Sequence, residues 1–229
     1  MRRATGELNT TGWKYEMITI WTYDFVPGGE NGPRGLVRDL RLRWACEEAA
    51  LDYEVKTTPF EDRGPDHFAR QPFGQVPFLE DAGIKVFESG ACLLYLARKS
   101  EILMPRDPAG EADTLQWTIA ALNSIEMVSV PWMVLSWSEG PDNGLTGWLD
   151  SRLAHMEAVL EDREWIAAGR FTVADIMLAD VFRQTRRADA PAYPNIRAYK
   201  QRACARPAFR KAYEDQVAHF VAGDIARSG

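Results

Sequence analysis

The stretch Gln75-Val-Pro-Phe-Leu-Glu-Asp-Ala-Gly-Ile-Lys-Val-Phe-Glu-Ser89 decides the architecture. Residues 76–79 and 83–88 are two short β-favouring runs, and the Glu80-Asp-Ala between them turns an antiparallel hairpin. Helical spacing begins at Ser89: Cys92, Leu93, Leu96 and Ala97 share one face, and Pro105 with Pro108 closes the segment. Working outward, residues 17–23 (Met-Ile-Thr-Ile-Trp-Thr-Tyr) alternate with period two and predict a strand that stops at the Gly/Pro-rich run 25–33. A helix is expected over 34–50, apolar on two edges and therefore sandwiched, followed by a strand from Tyr53. A β-α-β unit with parallel strands, followed by β-β-α, makes one small α/β layer domain. Beyond Asp107 no strand pattern appears, and helical periodicity recurs over 112–130, 147–162, 173–187 and 196–205. The expected boundaries are an extension over 1–16, an α/β domain over 17–104 and an all-helical domain over 105–229.

Composition narrows the function. The 229 residues carry 27 basic and 33 acidic side chains, a net charge of −6 shared evenly by the two halves, so a basic groove for nucleic acid is not expected. The longest apolar run, 127–135, is interrupted by Ser129 and Pro131 and falls short of the ~20 residues that span a bilayer, so no membrane segment is expected. Cys46, Cys92 and Cys204 are far apart, with no Cys-x-x-Cys and no histidine at ligand spacing. No metal site or disulfide framework is expected, and a reducing, cytoplasmic setting is.

Three ordered blocks resemble the cytosolic glutathione transferases: residues 73–97 (Phe73-Gly-Gln-Val-Pro through Leu-Ala97), 171–180 (Phe171-Thr-Val-Ala-Asp-Ile-Met-Leu-Ala-Asp180) and 193–209 (Tyr193-Pro-Asn-Ile through Pro-Ala-Phe209). The resemblance covers about residues 17–220. It implies a thioredoxin-like α/β N-terminal domain followed by an all-α helical-bundle C-terminal domain, glutathione as co-substrate, a homodimer, and attack of the glutathione thiolate on a small hydrophobic electrophile. A different class of function, a glutathione-fold binding or regulatory protein without catalysis, fits the same blocks.

The first block carries the binding expectations. Pro77 lacks an N–H and belongs at an edge or bend. The resemblance implies a cis Val76–Pro77 bond, with the Val76 backbone free to pair with the cysteinyl backbone of the tripeptide as an added strand. Ser89 opens a helix, where exposed N–H groups favour an anion. On the family's pattern it takes the γ-glutamyl carboxylate, Glu88 takes the α-amino group, and Gln75 completes the polar rim. By contrast, Thr172-Val-Ala-Asp175 has a capping-box layout and reads as a folding device.

The thiol activator is the departure. The family's usual hydroxyl or thiol would fall near residues 36–39, which here are Leu-Val-Arg-Asp. Tyr23 and Thr22, at the end of the first strand, and Arg38, near the helix start, are the catalytic candidates, since a thiolate is stabilised by hydrogen bonding or positive charge. Cys92 and Cys46 read as buried and inert. Trp117, Asn123, Glu126, Met127, Trp132, Met133 and Trp137 suit an apolar electrophile pocket and equally a bundle core. Arg183, Arg186 and Arg187 read either as an anion patch or as a solvated helix end. The Gly-rich loop 27–35 lacks the Gly-Lys-Ser/Thr of a phosphate-binding loop.

Overall fold

Alternating Ile18, Ile20 and Thr22 supply the buried face of the first strand, and it becomes the second strand of a four-stranded sheet. The computed structural model describes residues 17–228, so the extension read over 1–16 lies outside the described residues. The strands are β1 (Ile18–Tyr23), β2 (Tyr53–Thr58), β3 (Phe78–Asp81) and β4 (Ile84–Phe87), in the order β2-β1-β3-β4. β1 and β2 are parallel; β1–β3 and β3–β4 are antiparallel. Trp21 pairs with Phe78 across the sheet, and their rings stack at 5.5 Å.

The helices are α1 (Asp39–Ala49), α2 (Pro65–Phe68), α3 (Ser89–Ala97), α4 (Pro108–Ala120), α5 (Met127–Glu139), α6 (Thr146–Val159), α7 (Val173–Gln184), α8 (Pro194–Cys204) and α9 (Pro207–Ser228). Three depart from the sequence reading. α1 starts at Asp39 instead of residue 34, because Gly35 sits at φ +75°, a left-handed backbone that a helix cannot contain. The helix expected to end at residue 130 instead runs on: a π-helical segment, Ala121–Glu126, joins α4 to α5, which passes Pro131 and continues to Glu139. By length and composition alone this continuous helix, Pro108–Glu139, could cross a bilayer; it packs against α7 among the bundle helices. The helical periodicity read from the sequence stops at residue 205, short of α9, which only the resemblance of residues 193–209 to a C-terminal helix pair implies.

Two compact units emerge. One runs through Cys92 and takes in the stretch from Ala212 onward; the other is Leu93–Lys211. The expected boundary at 104/105 gave no hint of a returning C-terminal segment. Within the first unit α1 is buried from Asp39 through Cys46, including Arg41 at 0% exposure and Arg43 at 3%. Within the second, α7 is buried along nearly its whole length, from Val173 to Phe182. Its start is a complete capping box, Thr172 with Asp175. The Asp175 carboxylate accepts from the Thr172 and Ile166 N–H groups, each at 2.8 Å, and from the Tyr199 hydroxyl at 2.7 Å.

Candidate functional site

The sheet register gathers the binding residues at one end of the α/β unit. Because Trp21 pairs with Phe78 and Phe78 with Phe87, the end of β1, the entry to β3 and the exit of β4 lie side by side. Tyr23, Val76-Pro77 and Glu88-Ser89 therefore share that end, and the loop leaving β1 leads to Arg38 at the start of α1. Val76–Pro77 is cis, as the resemblance implies. Gln75 and Glu88 are exposed, Val76 half-buried, and Pro77 and Ser89 buried. Glu88 takes φ +68°, a turn that ends β4 and starts α3 within one residue.

Ser89 has a partner that sequence reasoning missed. The guanidinium Nη1 of fully buried Arg41 donates to Ser89 Oγ at 3.0 Å. Arginine is donor-only, so the serine oxygen is the acceptor in this bond and its own O–H is left to donate elsewhere. A hydroxyl donor beside helix N–H groups, backed by a buried positive charge, is built for an anion. Arg41 was read merely as part of a helix pattern; nothing in an Arg-x-Arg repeat tells which arginine turns inward.

Gln75 is anchored by a second residue not singled out from the sequence. His67 bridges Thr58 Oγ1 at 2.7 Å (Nδ1) and the Gln75 carbonyl at 3.1 Å (Nε2). Because a carbonyl can only accept, Nε2 carries the proton and Nδ1 receives the threonine hydroxyl. Burial pushes the imidazole below its ordinary range, with Arg63 and Arg70 adding to the effect and the Gln75 bond opposing it.

The catalytic candidates differ in access. The Tyr23 ring is half-buried, edge-on to Phe60 at 5.1 Å, and lies under the Arg63 guanidinium at 4.9 Å. Burial raises the phenol above its usual range although Arg63 pulls the other way, so at neutral pH it is a proton-bearing donor. Arg38 is half-buried at the N-terminal cap position of α1. Thr22 is 0% exposed, its hydroxyl beside the buried Asp39 carboxylate without a well-formed hydrogen bond. Thr22 has no access to solvent, and its hydroxyl lies in the interior beside Asp39. Cys92 is buried, its thiol donating to the Val86 carbonyl at 3.2 Å, and burial drives its pKa far up; Cys46 is buried as well.

Packing distinguishes some of the remaining residues. Arg183 pairs with Asp180 at 2.6 Å, and Arg187 with Asp150, also at 2.6 Å, so two of the three arginines are committed to ion pairs. Trp132 is buried, whereas Met127 and Trp137 are exposed on α5. Among the described residues no group of three His, Cys, Asp or Glu side chains is placed to hold a metal ion.

A mixed four-stranded sheet with a cis-proline entry to β3, continuing into an all-helical unit, is the two-domain architecture of glutathione S-transferase-like proteins. Residues 32–98 match the glutathione S-transferase N-terminal domain and residues 147–207 the C-terminal domain. Glutathione S-transferase 1 of Zea mays is 30% identical over 190 residues, covering 75% of this chain and 88% of that protein. Glutathione S-transferase 1 of Schizosaccharomyces pombe is 28% identical, covering 87% and 96%. Among solved structures, yeast Ure2p in complex with S-p-nitrobenzylglutathione superposes with a TM-score of 0.74 at 18% identity, covering 87% of this chain and 95% of that one. A glutathione transferase family member from Pseudomonas fluorescens with two glutathione bound superposes at 0.71 and 24% identity, covering 87% and 93%. The chain belongs to the glutathione S-transferase family.

Proposed function

We propose that this protein is a glutathione transferase that binds glutathione at the shared end of β1, β3 and β4 and activates its thiol for attack on a small hydrophobic electrophile. The observation that carries the reading is the Arg41–Ser89 bond at the start of α3, which leaves a polarised hydroxyl donor for the γ-glutamyl carboxylate. In this reading Glu88 takes the α-amino group, the Val76 backbone pairs with the cysteinyl residue, and Gln75 closes the rim. The protonated Tyr23 phenol donates to the sulfur, and the Arg38 guanidinium stabilises the thiolate at the α1 entry. Lowering the thiol pKa raises the fraction of nucleophile at neutral pH, and holding it against the second substrate supplies the rest of the rate. Exposed Met127 and Trp137 are consistent with an apolar electrophile.

The protein is proposed to act in the cytoplasm as a homodimer, with no nucleic-acid or membrane partner. Exposed Phe73, edge-on to Phe87 at 6.4 Å, offers an apolar face for a second copy. Light scattering is expected to give twice 25.8 kDa; a monomer at working concentration removes that part of the reading.

A second reading rests on a specific feature. Residues 36–39 hold no hydroxyl or thiol, so a glutathione-binding protein without transferase chemistry also fits. Retention on a glutathione resin together with turnover of a panel of aryl and alkyl electrophiles supports the transferase; retention without turnover supports the binding protein.

A further inference from the structure

Beyond its first residue, Pro207, helix α9 lies outside both matched family segments, and one of its faces is spent on the first unit. Tyr213, Gln216, Phe220, Gly223 and Arg227 recur at helical spacing and share that face. Tyr213, Gln216, Gly223 and Arg227 touch the segment between β1 and α1, and Phe220 is fully buried between them. The Tyr213 ring is so close to Gly35 that an added Cβ would collide with it. An added Cβ on Gly223 would likewise meet the Asp24 carbonyl oxygen, so the helix passes the end of β1 at a distance that only glycine allows. Arg227 stacks over the Phe25 ring at 3.7 Å, Asp224 pairs with Arg34, and His219 Nε2 donates to the Tyr23 carbonyl at 2.9 Å.

Gln216 is the centre of this contact. It is fully buried, and its side-chain amide nitrogen donates to the Val37 carbonyl at 2.9 Å and to Asp39 Oδ1 at 2.5 Å, using both of its hydrogens. The other Asp39 oxygen is held by Arg43 Nε at 2.7 Å. The two Gln216 bonds land on the residues immediately before and after Arg38, while His219 holds the backbone of Tyr23.

We propose that the C-terminal part of α9 positions Tyr23 and Arg38 against bound glutathione, with Gln216 as the principal positioning residue. The inference rests on the assignment of those two residues to the thiol. Without Gln216 the α1 entry loses the buried amide that ties Val37 to Asp39, and Arg38 between them gains freedom that a transition-state partner cannot have.

The test uses the full chain, with Gln216→Leu and, as an independent way of lifting α9 away, Gly223→Val. Three quantities are read: hydrogen exchange of peptides within 24–38 compared with 173–184, glutathione affinity by calorimetry, and the pKa of the bound thiol from absorbance near 240 nm. Exchange in 24–38 is expected to quicken about tenfold while 173–184 is unchanged, with the bound-thiol pKa rising by about one unit. Unchanged exchange in both variants, or faster exchange with affinity and thiol pKa as in the parent, overturns the proposal. A parent protein that binds glutathione without forming thiolate defeats the activation reading instead; positioning is then decided by affinity, which must fall in the variants for the inference to stand. If Gln216→Leu does not fold, Gly223→Val carries the same comparison.

Discussion

Replacing Asp175 with alanine removes one carboxylate that four buried donors share: the Ile166 and Thr172 N–H groups, the Tyr199 hydroxyl and, more weakly at 3.3 Å, the Thr172 hydroxyl. Each donor left unsatisfied costs about 1–3 kcal/mol. Opposing this, burial lifts the Asp175 carboxyl from 3.8 to about 6, so at pH 7 the native state carries its charge at a cost of about 3 kcal/mol, from about 1.4 kcal/mol per pKa unit. The net expectation for Asp175→Ala at pH 7 is a loss of about 3 kcal/mol, a fall in Tm of roughly 6–12 °C for a chain of this size. The sign with pH follows from the raised native value. Asp175 contributes its full stability below the unfolded pKa of 3.8 and loses it as pH rises through about 6, with no further change above. Denaturant unfolding followed by tryptophan fluorescence, compared between the parent and Asp175→Asn from pH 4.5 to 8, should therefore show the parent's advantage shrinking up to about pH 6.5 and then levelling. An Asp175→Ala protein that melts like the parent yet loses activity would refute the structural role and move Asp175 into the chemistry.

Further outcomes follow from the same geometry. Ser89→Ala removes the Arg41–Ser89 bond and the anion's hydroxyl, so glutathione affinity should fall about 10- to 100-fold, from about 1.5–3 kcal/mol for a charged hydrogen bond; calorimetry with an unchanged dissociation constant would sink the carboxylate assignment. His67, with its pKa lowered by burial, gives stability that is complete above about 6.5 and declines as pH falls through its lower native value. His67→Asn should flatten that acid limb in pH-dependent melting, and an identical slope in both proteins contradicts the Thr58–His67–Gln75 bridge. Cys92→Ala should keep full glutathione binding and turnover, because the thiol is buried and protonated; loss of activity without loss of Tm would make it a participant.

The strands and the hairpin were legible because their side chains alternate, Ile18, Ile20 and Thr22 on one side of β1, but the turn expected at Glu80-Asp-Ala falls two residues later, at Ala82-Gly83, because Glu80 and Asp81 pair with β4 as part of β3. The capping box at Thr172 announced α7 and its burial equally well. What failed had physical reasons. Gly35 at positive φ delays α1, and a glycine in sequence does not disclose its φ. Two arginines of α1 are buried, against the ordinary rule for charged residues, because one meets Ser89 and the other Asp39. The working face of α9 interleaves glutamine, histidine and glycine with Phe220, so the apolar stripe is broken and its docking onto the first unit left only a weak hydrophobic signature. The binding half of the candidate site was thus readable from local motifs, whereas the residues that hold it, Arg41, His67 and Gln216, depend on contacts distant in sequence.

The central claim is that this chain turns glutathione into a bound thiolate. Titration with glutathione at neutral pH, followed by calorimetry and by absorbance near 240 nm in parallel, tests it directly. The account predicts saturable binding with a thiolate signal that drops in both Tyr23→Phe and Arg38→Ala while binding persists. Binding with no thiolate band contradicts it and leaves a protein that holds glutathione without activating it.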